Sequence, residues 1–343
     1  LKPSIPEREE NVLSSVIHAY VATAKPVASQ ALTGRLDISS ATIRNSFMDL
    51  EKRGYLTHPY TSAGRVPMDQ GYRFYVDRLM KARQVTLKEK QQVEVEYQRS
   101  KDEVETLVRH TARILSAMTR LAGLAVFHIP SDLSLDHFRF VPIDGRRVMV
   151  ILVMDQGLVR EELVTTDASV DPKEVMKITQ VLNRRFGGQT LAAIRSQLLQ
   201  EAESVKRAKL GVVEAALQMV EEALRFSADT IHLEGASHLA EQPEFHDPQL
   251  LEQVVRLVEE RSPLASVLGR QWSNPGLSVS IGRELPQAEL RHFSFVHVPY
   301  YYQGKVAGAL GVLGPTRMAY DRVCGQLSHM ARELEATLTR RGG

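Results

Sequence analysis

A chain of 343 residues exceeds what one hydrophobic core supports, so two or three domains are expected. Its 43% apolar and 24% charged residues are those of a folded protein and exclude extensive disorder. One cysteine, Cys324, excludes an intramolecular disulfide and a multi-cysteine zinc site and fits a cytoplasmic location. No apolar run reaches the ~20 residues of a membrane span, and the first eleven residues, LKPSIPEREEN, lack the apolar centre of a signal peptide. The formal net charge of +2 does not point to nucleic acid by itself. A DNA-binding role therefore needs positive charge gathered locally, and Arg35, Arg44, Lys52, Arg53 and Arg65 are the supply.

The stretch from Pro6 to Lys25 reads as a helix. Proline stands in its first turn, Glu7, Glu9 and Glu10 complement the positive end of the helix dipole, and Val12, Leu13, Val16, Ile17 and Tyr20 recur on one face. Pro26 ends it. A second short helix is expected from about Val27 to Arg35, burying Ala31 and Leu32, with Asp37-Ile38-Ser39 as a turn. Ser39 or Ser40 then caps a third helix, because a hydroxyl can accept an orphan backbone N–H. Ile43, Phe47 and Leu50 fall at i, i+4 and i+7 and should face a core. The opposite face carries Ser40, Thr42, Arg44, Asn45 and Met48, with Ala41 at its margin. Arginine pairs bidentately with guanine and asparagine with adenine, while serine and threonine reach phosphates or either base. Tyr55-Leu56-Thr57 and Val66 look like two short strands around His58–Arg65, whose Thr61, Ser62, Gly64 and Arg65 suit phosphate or minor-groove contact. This is the layout of a winged helix-turn-helix. On pattern alone it could bind DNA or another protein.

At this point the motifs become specific. Ala41–Asn45 (ATIRN), Leu50–Leu56 (LEKRGYL), Thr61–Pro67 (TSAGRVP) and Gly71–Met80 (GYRFYVDRLM) occur in order over some forty residues, and Gly308–Tyr320 (GALGVLGPTRMAY) follows near the end. Together they resemble the HrcA family of heat-inducible transcription repressors. The resemblance implies a cytoplasmic homodimer that binds an inverted-repeat operator upstream of chaperone operons and is kept active by a GroEL-type chaperonin. It also implies an α+β multidomain architecture. A winged helix-turn-helix would occupy residues 1–80, and a linker helix with the first part of a GAF-like domain residues 81–132. An inserted dimerisation domain would span 133–226, with the remainder of the GAF-like domain at 227–343. The expected base readers are Ser40, Thr42, Arg44 and Asn45, and the expected wing contacts are Thr61, Ser62, Gly64 and Arg65.

Beyond the N-terminal module, Lys81 to about Leu121 is charged, periodic and free of internal proline. One long or slightly broken helix is expected there. His137–Val164 contains three strand-like runs separated by Asp144-Gly145 and Gln156-Gly157, and helical patterns follow, starting at Pro172. The C-terminal part alternates strand-like and helical segments and closes on a helix from Tyr320.

No enzyme chemistry stands out, and no cofactor or metal is expected. There is no HExxH, and Gly308, Gly311 and Gly314 lack the Lys-Ser/Thr of a phosphate loop. His292, His297 and Cys324 read as structural residues rather than ligands or nucleophiles. The alternative from another class is a metabolite-gated regulator that senses a ligand through the GAF-like domain.

Overall fold

The computed structural model describes residues 5–60, 64–99, 104–127, 134–155, 159–165, 169, 171–190, 193–194, 196–197, 230–260, 275–302 and 304–341. Helix and sheet are mixed along the chain. It divides into two units, the first built from residues 1–125, 231–300 and 309–334, the second from 126–230, 301–308 and 335–343.

The first unit opens on α1 (Glu7–Thr23), which buries Val12, Leu13, Val16 and Ile17 and ends where Ala24 turns left-handed. The next segment departs from expectation. A tight turn, Ser29–Leu32, runs into the single-turn α2 (Thr33–Leu36), while Val27 forms a lone antiparallel bridge to Arg65 instead of starting a helix. The cause is hydrogen bonding: Val27 and Arg65 exchange both backbone bonds at 2.9 Å, so the Val27 carbonyl cannot also accept from a helical amide. Asp37, left-handed at φ 52°, closes the turn before α3 (Ser40–Lys52). Two short strands follow, β1 (Leu56–Thr57) and β2 (Val66–Pro67), paired antiparallel, and then α4 (Asp69–Phe74).

The expected long helix is two helices, α5 (Leu87–Arg99) and α6 (Val104–Thr119), packed side by side. Tyr97 and Thr111 share a buried 2.7 Å hydrogen bond, a contact that a straight helix would stretch to ~21 Å at 1.5 Å per residue. Burying Tyr97, Leu107, Val108 and Leu115 against each other and the core favours the folded-back arrangement over a solvated rod.

The centre of the first unit is a five-stranded sheet in the order β7-β3-β10-β9-β8. Its strands are β3 (Ala122–Phe127), β7 (Thr230–Glu234), β8 (Ser278–Ile281), β9 (Phe293–Tyr302) and β10 (Lys305–Pro315). β3 and β10 are apolar almost throughout, as strands covered on both faces must be. Helix α6 lies close on β3, where a Cβ on Gly123 would stand 2.1 Å from the Ala112 carbonyl oxygen. The last helix (Tyr320–Arg341) buries Val323, Cys324, Leu327, Met330 and Leu334. Phe245 stacks on Phe293 with ring centres 4.8 Å apart.

The second unit contains a three-stranded antiparallel sheet, β4 (Leu135–Pro142), β5 (Arg147–Met154) and β6 (Val159–Thr165). Asp144 turns the first connection by accepting from the amides of Arg146 and Arg147. Gln156-Gly157 lies outside the described residues. One helix, α7 (Pro172–Phe186), covers one face, with Val175, Leu182 and Phe186 buried. Its Asn183 amide both donates to the Phe138 carbonyl and accepts from the Phe138 amide, closing the open edge of β4 at that point.

Candidate nucleic-acid interface

Helix α3 starts cleanly. Ser39 accepts from the Thr42 amide at 3.1 Å and so satisfies one orphan donor of the first turn. Its inner face, Ile43, Phe47 and Leu50, is buried, and Ser46 is fully buried among them. The outer face carries Arg44 and Asn45, both exposed and adjacent, then Met48 one turn on at 48% exposure. A helix locked at its back and capped at its start can hold these side chains at a fixed angle.

The other two expected readers are engaged within the module. The Thr42 hydroxyl lies 2.9 Å from that of Ser39, and the Ser40 hydroxyl lies 2.7 Å from that of Ser29. Both are half-buried. Ser29 also accepts from Arg44 Nε at 3.3 Å. Sequence reasoning did not single out Ser29, because the residue belongs to another element and its spacing from Arg44 has no helical or strand period.

The hairpin behaves differently from a loose loop. Gly64 sits against Val27, so that a Cβ there would stand 2.4 Å from the Val27 carbonyl carbon. Arg65 directs its guanidinium to Glu51, Nη2 to Oε2 at 3.0 Å, and its side chain is only 19% exposed. His58 approaches the other Glu51 oxygen through Nδ1. Glu51, on the last turns of α3, therefore ties both arms of the hairpin to the helix. Thr61 and Ser62 lie outside the described residues.

The five cations expected to supply local charge are unequally placed. Arg53 faces the nearly buried carboxylate of Glu9 at 3.8 Å, and Arg65 faces Glu51. Lys52 lies 3.8 Å from the open Asp49 carboxylate but is 77% exposed, and Arg35 and Arg44 are exposed as well. Those three are best placed to approach an external polyanion.

The module is mounted on the rest of the first unit by two arginine forks. Arg73 of α4 donates from Nε and Nη2 to the two Glu284 oxygens at 2.9 and 2.8 Å, and from Nη1 to Asp77 at 2.9 Å. Glu284 also accepts from the Ile281 amide, and Asp69 accepts from the Arg283 amide. At the other end Arg317 donates to both Glu244 oxygens and, through Nη1, to the Val21 carbonyl of α1 at 2.7 Å. These carboxylates and hydrogen bonds outweigh burial, so both guanidinium groups hold their protons more tightly than usual.

Burial pushes the Cys324 thiol up to about 12, with Asp321 adding to the effect, which favours the protonated thiol over the thiolate. His297 is fully buried, whereas His292 stands exposed just before β9. Among the described residues no three His, Cys, Asp or Glu side chains gather as a metal site, and no helix is long and apolar enough to cross a membrane.

The fold has a solved counterpart. A hypothetical protein with a 2.2 Å crystal structure matches 98% of this chain and 99% of its own at a TM-score of 0.64 and 21% identity. The family is settled by sequence. Residues 105–324 match the model of the HrcA protein C terminal domain. Heat-inducible transcription repressor HrcA of Geobacter sulfurreducens is 34% identical over 330 residues, 96% of each chain. Its namesakes from Pelotomaculum thermopropionicum and Symbiobacterium thermophilum are 32% and 34% identical, over 97% and 96% of this chain and 97% and 98% of their own. The chain belongs to the HrcA family.

Proposed function

We propose that this chain represses transcription of chaperone operons by occupying an inverted-repeat operator as a homodimer. In this reading residues 1–80 are a winged helix-turn-helix and α3 enters the major groove of each half-site. Residues 81–132 and 227–343 form the GAF-like domain, and 133–226 the inserted dimerisation domain. A GroEL-type chaperonin keeps the repressor active in the cytoplasm, so that competition for the chaperonin during heat stress releases the operons. The observation that carries the DNA-binding part is the paired exposure of Arg44 and Asn45 on the first turns of a capped, back-locked helix. Relatives that span nearly the same length carry the name of heat-inducible transcription repressors. Arg65 and Gly64 serve this reading by holding the hairpin in place beside α3.

One face of the three-stranded sheet is uncovered among the described residues, and this supports a dimer. Cross-strand register sets Val141, Met149 and Leu163 in one row, Arg139, Ile151 and Glu161 in the next, and His137, Val153 and Val159 in a third. Val141, Val159 and Leu163 are 38%, 52% and 44% exposed, an apolar face that a solitary chain leaves wet. A two-fold axis parallel to β5 would lay β4 over the partner's β6, setting Arg139 against Glu161 of the partner subunit. An axis across the strands would oppose like charges instead.

A footprint on the chaperone-operon upstream region of the chain's own genome, with and without chaperonin, tests the function. Two symmetric protected half-sites, strengthened by chaperonin, are expected; no protection, or one unpaired site, removes the operator reading. Sedimentation tests the interface. Glu161→Arg should yield monomer and added Arg139→Glu should restore dimer, whereas an unaltered dimer in Glu161→Arg rules this face out.

A further inference from the structure

We propose that Ser29 is a positioning residue that aims Arg44 at a guanine in each half-site. The inference rests on the DNA-binding reading above and adds a determinant of its specificity. Ser29 is 8% exposed and stands at the start of the turn preceding α2, opposite the first turns of α3. Its hydroxyl accepts the Arg44 Nε proton at 3.3 Å and lies 2.7 Å from the Ser40 hydroxyl. A hydroxyl has one proton and two lone pairs. One lone pair serves Arg44, and the proton or the second lone pair serves Ser40, the first residue of α3. The oxygen is thereby fixed between the two helices and cannot rotate away from the guanidinium.

The consequence lies in which donors remain. With Nε held from behind, the guanidinium plane is restrained, and Nη1 and Nη2 are the donors left for an acceptor outside the protein. Guanine offers two acceptors, O6 and N7, on its major-groove edge, whereas adenine presents a donor where guanine has O6. A fork aimed in advance discriminates between them and loses less rotamer freedom on docking. A released arginine keeps its charge and can swing to a phosphate, which attracts DNA without reading it. Loss of Ser29 is therefore a loss of discrimination, not of general affinity.

The test uses the full chain and anisotropy titrations on the footprinted inverted repeat, on the same duplex with the contacted guanine changed to adenine, and on unrelated duplex. Ser29→Ala should weaken operator binding about three- to tenfold, the range of one modest hydrogen bond. Binding to unrelated duplex and the slope of affinity with salt should not change. The guanine-to-adenine penalty should shrink, and Ser29→Thr, which keeps the hydroxyl, should restore it. In an Arg44→Ala background Ser29→Ala should have no further effect. Equal losses in both backgrounds would mean that Ser29 acts through the fold of the module, and unchanged operator affinity would mean that Arg44 needs no aiming; either overturns the proposal alone. An Arg44→Ala chain that binds the operator as tightly as the parent overturns the assignment of Arg44 as a reader, and the Ser29 proposal with it.

Discussion

Arg44 and the arginines of the mount share a side chain and have opposite situations. Arg317 and Arg73 are only 10% and 22% exposed, and each holds a carboxylate with a bidentate fork. Arg44 is exposed, faces no carboxylate among the described residues, and donates a single bond to a serine hydroxyl. A charge surrounded by partners contributes to cohesion. One restrained at its inner nitrogen is available to something outside. The lesson extends to Arg65: motif position suggested a DNA contact, but its pairing with Glu51 gives it the character of the mount.

That contrast can be broken by substitution. The largest effect should come from Arg317→Ala, which strands the Glu244 carboxylate and the Val21 carbonyl and should cost about 3 kcal/mol of stability. Urea unfolding would measure it, and an unchanged midpoint would mean that the fork contributes nothing. Arg44→Ala should do the reverse: about 1–3 kcal/mol lost in specific operator binding with no change in stability. Operator titration beside a thermal melt separates the two, and a lowered melting temperature would erase the distinction drawn here. Arg73→Ala should fall below both at about 1 kcal/mol of stability, since its pair is more open to solvent.

A pH-dependent effect, confined to acid conditions, sharpens the contrast from the carboxylate side. Burial works against the charge of Glu89, but the Thr86 amide and hydroxyl, the Gln326 amide and Arg83 outweigh it and bring its carboxyl down from 4.5 to about 2. A depressed folded value means that the ion stabilises the folded chain above about pH 4.5, and that this contribution fades as pH falls toward 2. Glu89→Gln should flatten the acid limb of a stability-against-pH curve in that window. An identical limb in the variant would show that Glu89 gives no such support.

What was legible in the sequence was local. The inner and outer faces of α3 follow from periodicity, and its start follows from Ser39; both are set within a few residues. The strands β4 to β6 were readable for the same reason, as alternation and a turn at Asp144. The Ser29–Arg44 bond spans 15 residues and the Arg73–Glu284 fork 211, separations at which no pattern in the chain pairs the partners. The run from Lys81 to Leu121 fails as one helix for a related reason. Its charged residues satisfy helical periodicity equally well straight or folded back, and the buried Tyr97–Thr111 bond and the apolar burial around it decide. The packing of Gly64 on Val27 was not legible, because nothing in TSAGRVP announces that Val27 will run beside it.

The mounting of α1 and α4 has a thermal consequence. Hydration of charged groups becomes less favourable on warming, so the cost of desolvating Arg317, Glu244, Arg73 and Glu284 declines with temperature. Apolar burial gains little per unit area over the same range. The seam between the N-terminal module and its support is thus a part of the first unit that a rise in temperature erodes little. If the proposed repressor releases its operator on heating, the loosening should start elsewhere than at this seam.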